Sequence, residues 1–312
     1  MSSKWINKDL FNEFQEQKKA EADSTPTGGM KRSDLVWKTP EKGTTDKAKV
    51  YEGRFVPDKK GNFYMKYFYH MFLSGDQWTF TLCPKTFNFN DYCPLCSATS
   101  KLYTGSAADK KMASNYKRKE KFVSNIYIID DPRDSEADDD DKVSGSVRLY
   151  EFPGKVEMKL KEEITDTRNG LGAAIFDPGE NGFNFLLKVL STKKDKNGNI
   201  WPDYSSSAFT RRASALGSDA EIEKIMDSTM DLNEYVQEMK KSDDDIIELL
   251  KAEMIWEIVQ DEWNRYKASK ATEPTDIDDS QWDSVKSEGI PEQPEDSEEM
   301  SDASLLAELE NL

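Results

Sequence analysis

Histidine and cysteine are nearly absent from this chain: 312 residues hold one of the first and three of the second. With a single imidazole, a serine or cysteine nucleophile backed by a histidine base has little to draw on. No Gly-x4-Gly-Lys-Ser/Thr loop and no glycine-rich dinucleotide fingerprint occurs, which excludes those phosphate cradles. No apolar run is long enough to cross a bilayer, and the N-terminus lacks the apolar stretch of a secretory signal. The expectation is a non-enzymatic protein without a membrane partner.

The four scarce residues fall together. His70, Cys83, Cys93 and Cys96 lie within 27 residues, in the order His-x12-Cys-x9-Cys-x2-Cys. Zinc favours four nitrogen or sulfur ligands in a tetrahedron, and a Cys3His set closes that shell with no position for an activated water. Cys93-Pro94-Leu95-Cys96 lets two thiolates from one turn grip an ion, while His70 and Cys83 staple more distant segments to it. The plainer alternative is three scattered buried thiols and a surface histidine. Convergence of every such residue on one window favours one structural Zn2+. No cysteine then remains for a disulfide, which points to a reducing cytoplasm.

Positive charge is also in short supply, with 43 Lys and Arg against 60 Asp and Glu and a net charge of −17. The deficit is uneven. From Glu273 to Leu312 there are fourteen acids and one lysine, leaving only −4 for the other 272 residues. A second acidic run, Asp138 to Asp141, reads as a solvated loop. Without these two segments the body is near neutral or positive, with basic clusters available for a local binding face.

Residues 1–22 carry Trp5, Ile6, Leu10, Phe11 and Phe14 at helical spacing, an amphipathic arm in need of a surface. Asp23 to Gly29 is a hinge by composition. The body then alternates β-branched and aromatic runs with turns. Strands are expected at Lys49–Pro57, Phe63–Phe72, Gln77–Leu82, Phe122–Ile129, Ser146–Phe152 and Phe183–Leu190. They suggest a small antiparallel barrel or curled sheet. A helix is expected over Lys155–Glu163, and 219–271 repeats apolar residues at helical spacing throughout. The organisation is thus an arm (1–22), a core (23–271) and an acidic tail (272–312). The tail's Pro, Ser, Asp and Glu content predicts disorder, ended by the leucine-bearing peptide Ser301–Leu312.

Around the zinc window, rings and cations interleave. Arg54-Phe55, Lys66 among Tyr64, Tyr67 and Tyr69, then Trp78, Phe87, Phe89, Tyr92, Tyr103 and Tyr116-Lys117-Arg118-Lys119-Glu120-Lys121-Phe122 follow one another. On strands about half of such rings face a core. The rest are placed to stack on bases, at about 1–3 kcal/mol each and with little regard to sequence, while cations follow phosphates.

With these motifs the chain resembles the single-stranded DNA-binding (helix-destabilising) proteins of T-even-type bacteriophages. The likeness rests on His70-x12-Cys83, Cys93-Pro94-Leu95-Cys96, Trp78 before Cys83, and Arg54-Phe55-Val56-Pro57. It extends to Leu102-Tyr103, Lys117-Arg118-Lys119, Phe183-Asn-Phe185-Leu-Leu-Lys188-Val and the acidic tail ending Leu-Glu-Asn-Leu. The resemblance implies a mixed, mainly β protein: an OB-fold core with a zinc-bearing subdomain, C-terminal helices and a disordered acidic tail. It implies binding of single-stranded DNA without sequence preference, in phage replication, recombination and repair within the cytoplasm of the bacterial host. Carried onto matching positions, Arg54, Trp78, Tyr92, Tyr103, Tyr116, Lys117, Arg118, Lys119, Phe122 and Tyr150 would line the DNA path. The arm would support self-association along DNA, and the tail would contact replication and recombination proteins. Two departures stand out. The arm reads Ser3-Lys4-Trp5-Ile6-Asn7-Lys8-Asp9 where the family has a compact Lys/Arg-Ser/Thr motif, and Glu120 replaces a hydroxyl residue in the second basic cluster. The rival reading is a zinc-stapled protein-interaction adaptor, and a two-metal nuclease stands third.

Overall fold

Period-2 alternation builds the sheet where the sequence predicts it. The computed structural model describes residues 35–38, 40–194 and 198–272. Its strands are β1 (Lys49–Val56), β2 (Met65–Ser74), β3 (Gln77–Leu82), β4 (Lys119–Asp130), β5 (Val147–Phe152) and β6 (Phe185–Ser191), with two-residue β7 (Pro202–Asp203) and β8 (Ala208–Phe209). All named strands pair antiparallel, in the order β3-β2-β4-β1-β6-β7, with β5 on β4 and β8 on β6. The 12-residue β4 organises them: β5 lies along one edge, and β2 and β1 follow each other along the opposite edge. The protein is therefore mixed, with an eight-stranded antiparallel sheet and helices. The arm, the hinge and the tail beyond residue 272 lie outside the described residues. Among the described residues, those up to Tyr266 belong to one compact unit.

The inward positions of β1, β4, β5 and β6 fill the main core with rings. Phe55 lies at its centre, with Phe185 at 5.4 Å, Phe152 at 5.8 Å and Tyr150 at 6.3 Å between ring centroids. Phe122 stacks on Phe152 at 5.7 Å. Aromatic pairs at such distances contribute about 0.5–1.5 kcal/mol each beyond the area they bury. The helix α3 (Gly154–Thr165), expected over 155–163, covers this core with Val156 and Leu160.

Two helices escape the sequence reading. They are α1 (Pro94–Tyr103) and α2 (Ala107–Asn115). Each has a start signal: Pro94 at the first turn after extended Cys93, and a capping box between Ser106 and Asp109. The helical stretch from 219 is broken into α4 (Asp219–Asp227), α5 (Leu232–Gln237), α6 (Asp243–Ala252) and α7 (Trp256–Thr272). Asp231 and Ser242 cap α5 and α6 and so end the preceding segments.

Polar groups on the sheet hold these helices. The Asn125 side chain exchanges two hydrogen bonds with the Met230 backbone, at 2.8 and 2.9 Å. Glu151 accepts from Tyr67, Tyr235 and Lys121 at 2.9, 2.8 and 2.7 Å. At the far end of β4, buried Asp131 accepts from the Trp37 indole at 2.8 Å and from Arg133, closing the N-terminal strand segment on the sheet. Burial works against charging Asp131 and Glu151. Hydrogen bonds from Arg133 and Trp37, and the charge of Lys121, outweigh it and hold both carboxyls below their ordinary values.

Because both folded values are depressed, their stabilisation is full above the ordinary carboxyl range and is lost as acid protonates them. The urea midpoint is therefore expected to fall between about pH 5 and pH 3. Asp131→Ala is expected to cost about 2–3 kcal/mol at neutral pH, because it strands the indole and guanidinium donors. A midpoint unchanged in urea melts would show that the triad is not a fastener.

Candidate metal centre and nucleic-acid interface

Three elements bring the four ligands together. His70 lies on β2, opposite Thr81 of β3. Cys83 follows β3, its N–H bonded to the Phe68 carbonyl at 2.8 Å. Cys93 and Cys96 flank the first turn of α1. All four ligand atoms lie within 4.8 Å of one another. The His70 Nε2 is 3.4 Å from Cys93 Sγ and 3.6 Å from Cys96 Sγ, and Cys83 Sγ is 3.7 Å from Cys96 Sγ. A tetrahedron with metal–sulfur bonds of about 2.3 Å and metal–nitrogen bonds of about 2.0 Å has edges of roughly 3.5–3.8 Å. The spacing matches that shell and is far beyond a disulfide, so the cluster can hold one metal ion.

The protons in this cluster are unevenly held. Cys93 is pushed up by hydrogen bonds to Cys83 and Cys96 and by burial, while Cys96 is pulled down by Cys83, Cys93 and His70. Burial disfavours the charged form of His70, but Cys83 and Cys96 outweigh it and raise the imidazole to about 9. Loading a metal would displace these protons.

The outer partners tie the centre to its surroundings. His70 Nδ1 lies 2.7 Å from the Tyr116 carbonyl, so a donated N–H there leaves Nε2 free as a ligand. Tyr116 immediately precedes Lys117-Arg118-Lys119. Its hydroxyl donates to Glu253 at 2.6 Å. On α1, Ser97 and Lys101 bind Glu262 of α7, and the Tyr92 hydroxyl donates to the same carboxylate at 3.2 Å.

The structure divides the sequence-predicted DNA residues into two sets. Trp78, Tyr103, Lys117 and Lys119 are exposed, and Arg118 is half-buried beside them. Arg54, Tyr116, Phe122 and Tyr150 are buried. Arg54 is enclosed because its guanidinium donates to Asn184, to the Asp177 carbonyl at 2.5 Å and to the Ser214 carbonyl at 3.0 Å. Burial pulls it to about 10, and it stays charged at neutral pH. Tyr150 is sealed among Trp37, Phe55 and Phe152, and among the described residues its hydroxyl has no hydrogen-bond partner. Phe122 belongs to the ring core, and Tyr116 packs edge-on against Phe72 at 4.9 Å. Half-buried Tyr92 lies 5.4 Å from the ring of Tyr266 and fastens α7.

Phe68 and Lys85, which the sequence reading passes over, join Lys66, Phe89 and Arg118 in a compact surface cluster. Lys66 and Phe68 alternate on β2 with the same facing as His70. Thr86 bonds both the N–H and the carbonyl of Phe68, at 2.9 and 3.1 Å, and so docks the loop that carries Lys85 and exposed Phe89. Arg118 lies over Phe68 at 4.4 Å and Phe89 at 5.4 Å. Lys85 covers Phe89 at 4.9 Å, and Lys66 covers Phe68 at 5.0 Å. Three cations on two rings form a surface suited to bases and phosphates together. Glu120 intrudes on it through an ion pair with Lys66 at 2.7 Å.

A family model described as gp32 DNA binding protein like matches residues 53–254, nearly two thirds of the chain. That span contains all four ligands and the whole ring–cation cluster. No curated protein matches the chain.

His70→Ala and Cys93→Ser are each expected to lower metal content from one ion per chain toward zero, read by elemental analysis. Full retention in both would remove these residues from the centre. Tyr150→Phe should leave stability unchanged or slightly higher in urea melts, because it deletes an unpaired buried hydroxyl.

Proposed function

The chain belongs to the gp32-like family of DNA-binding proteins, and from that premise we propose that it binds single-stranded DNA without sequence preference. It coats exposed strands during replication, recombination and repair of phage DNA in the host cytoplasm. The observation that carries this reading is the stack of Arg118, Lys66 and Lys85 on Phe68 and Phe89 beside the metal cluster. Bases stack on the rings as the cations that cover the ring faces turn to the phosphates. Duplex destabilisation follows by mass action, since a ligand that favours single strands pulls melting forward.

The metal is zinc, held by His70, Cys83, Cys93 and Cys96. The closed nitrogen–sulfur shell is the chemistry that Zn2+ favours and makes its role structural. It fixes β2, β3 and α1 against one another behind the ring–cation cluster. The arm at 1–22 supplies self-association along the strand. The tail at 272–312 competes with DNA for the basic surface and meets partner proteins.

Binding of oligo(dT), followed by fluorescence anisotropy across salt, tests the reading. Arg118→Ala is expected to weaken binding and to reduce the salt slope by about one. Glu120→Gln is expected to act in the opposite direction, because it removes a carboxylate from the phosphate path. Phe89→Ala should lose about 5- to 150-fold, the equivalent of about 1–3 kcal/mol of stacking. Flat or absent binding across salt would instead favour the protein adaptor. Deleting residues 273–312 should raise duplex melting activity, and unchanged activity would remove the tail from that role.

A further inference from the structure

Beyond β4, the β2–β3 pair continues as a two-stranded ribbon. Pairing of β2 with β4 ends at Tyr69–Lys119, whereas pairing with β3 runs on to Ser74–Gln77. The turn at the end is Gly75-Asp76, with Gly75 at φ 57°, a conformation that favours glycine. Leu73 and Trp78 stand directly opposite each other just before this turn, which puts both side chains on one face. They are 53% and 67% exposed. An opposed leucine and tryptophan this open, at the tip of a projecting ribbon, contribute nothing to the core.

The charge around them separates this tip from the ring–cation cluster. At Phe68 and Phe89 every ring carries a cation. Among residues 73–78 the one charged side chain is Asp76, which repels phosphate. The tip therefore suits a flat apolar face whose phosphates lie to the side. A terminal base pair presents such a face, and apolar side chains wedged against base steps are an established way to unstack them. Cations do lie farther back. Lys119 faces Tyr69 at the ribbon base and donates to the Met71 carbonyl at 3.3 Å. Its backbone is four residues, or about 13 Å, behind Leu73, and its ammonium reaches a carbonyl two residues behind. The tip is thus continuous with the basic run, at a distance that suits a strand leaving the junction.

A wedge must also be stiff. His70 lies on one strand of the ribbon and Cys83 ends the other, so the ligand cluster clamps both at their base. On the Leu73 face, Tyr69 and Phe80 stack at 5.3 Å behind the tip.

We infer that Leu73 and Trp78 form a contact for the terminal base pair at a junction between single- and double-stranded DNA. This rests on the single-strand reading above and adds a second ligand geometry to it. The test uses the full chain and a forked duplex with 2-aminopurine in the pair at the junction, beside oligo(dT) as the plain single strand. The wild-type protein should change the 2-aminopurine signal and prefer the fork. Leu73→Ser/Trp78→Ser should lose about tenfold more affinity for the fork than for oligo(dT), the equivalent of about 1.4 kcal/mol of stacking. Trp78→Phe should retain most of the fork signal. Metal content equal to wild type shows that the exposed double variant is folded. Equal losses on both ligands would overturn the inference and make Trp78 an ordinary single-strand platform. No loss on either would take the tip away from DNA altogether. Failure of the wild-type chain to bind oligo(dT) is a separate result, and it sinks the underlying single-strand reading itself.

Discussion

The hydrogen bond between His70 Nδ1 and the Tyr116 carbonyl is the constraint on which the functional side of this molecule depends. It joins the ligand cluster on β2 to the backbone that leads directly into Lys117-Arg118-Lys119. One imidazole thereby has two duties: its Nε2 faces three thiols, and its other nitrogen fixes where the basic run begins. The Thr99 hydroxyl of α1 also lies within hydrogen-bond distance of the Tyr116 carbonyl, at 3.4 Å, which places the helix behind the same point. Disturbing the ligands would therefore move Arg118 relative to Phe68, although Arg118 touches no ligand. The centre is structural in the sense that it sets distances within a surface several residues away.

The same constraint explains why the rings divide so sharply between core and surface. The β2 strand presents Met65 and Tyr67 to one packed layer, and Lys66, Phe68 and His70 to the other face. Its neighbour β4 is buried on both faces through its middle, because α5 packs Leu232, Tyr235 and Val236 against the side opposite the ring core. Rings on β4 and β5 are thus committed to packing, however well their sequence context suits DNA. The rings of Phe68 on β2, Trp78 on β3, Phe89 on the following loop and Tyr103 on α1 remain at or near the surface.

Much of this was legible in the sequence because the signals are local. Alternation over six to twelve residues marks β1 to β6, and rarity marks the ligands, since the chain has no other cysteine or histidine. What was not legible depends on partners far along the chain. Arg54 beside Phe55 reads as a surface cation until Asn184, 130 residues later, folds over it. Tyr92 and Tyr116 read as open rings until Glu262 and Glu253, 170 and 137 residues away, accept their hydroxyls. The cation stack on Phe68 is hidden for the same reason, because Thr86 must first bring its loop onto β2. Of the missed elements, α1 and α2 alone carried adequate local signals, in Pro94 and in the Ser106–Asp109 box.

A chain with 60 acids and 43 bases faces a particular difficulty in presenting positive charge. Cations placed at random among so many carboxylates become paired, as Lys60 is with Asp231, Lys101 with Glu262 and Lys121 with Glu151. A paired cation is well positioned, yet its field is largely cancelled. At the cluster the positioning is done differently. Among the described residues Arg118 and Lys85 have no carboxylate within ion-pair distance, and they rest on the faces of Phe68 and Phe89. A ring quadrupole holds a cation by about 0.5–1 kcal/mol at an exposed site without neutralising it. The net charge stays available to a phosphate, and the ring beneath is already oriented to receive a base. Lys66 shows the contrast within one surface, since it lies over Phe68 and is also drawn to Glu120. The rings therefore serve the cluster twice, as platforms and as neutral anchors that keep scarce positive charge from being cancelled.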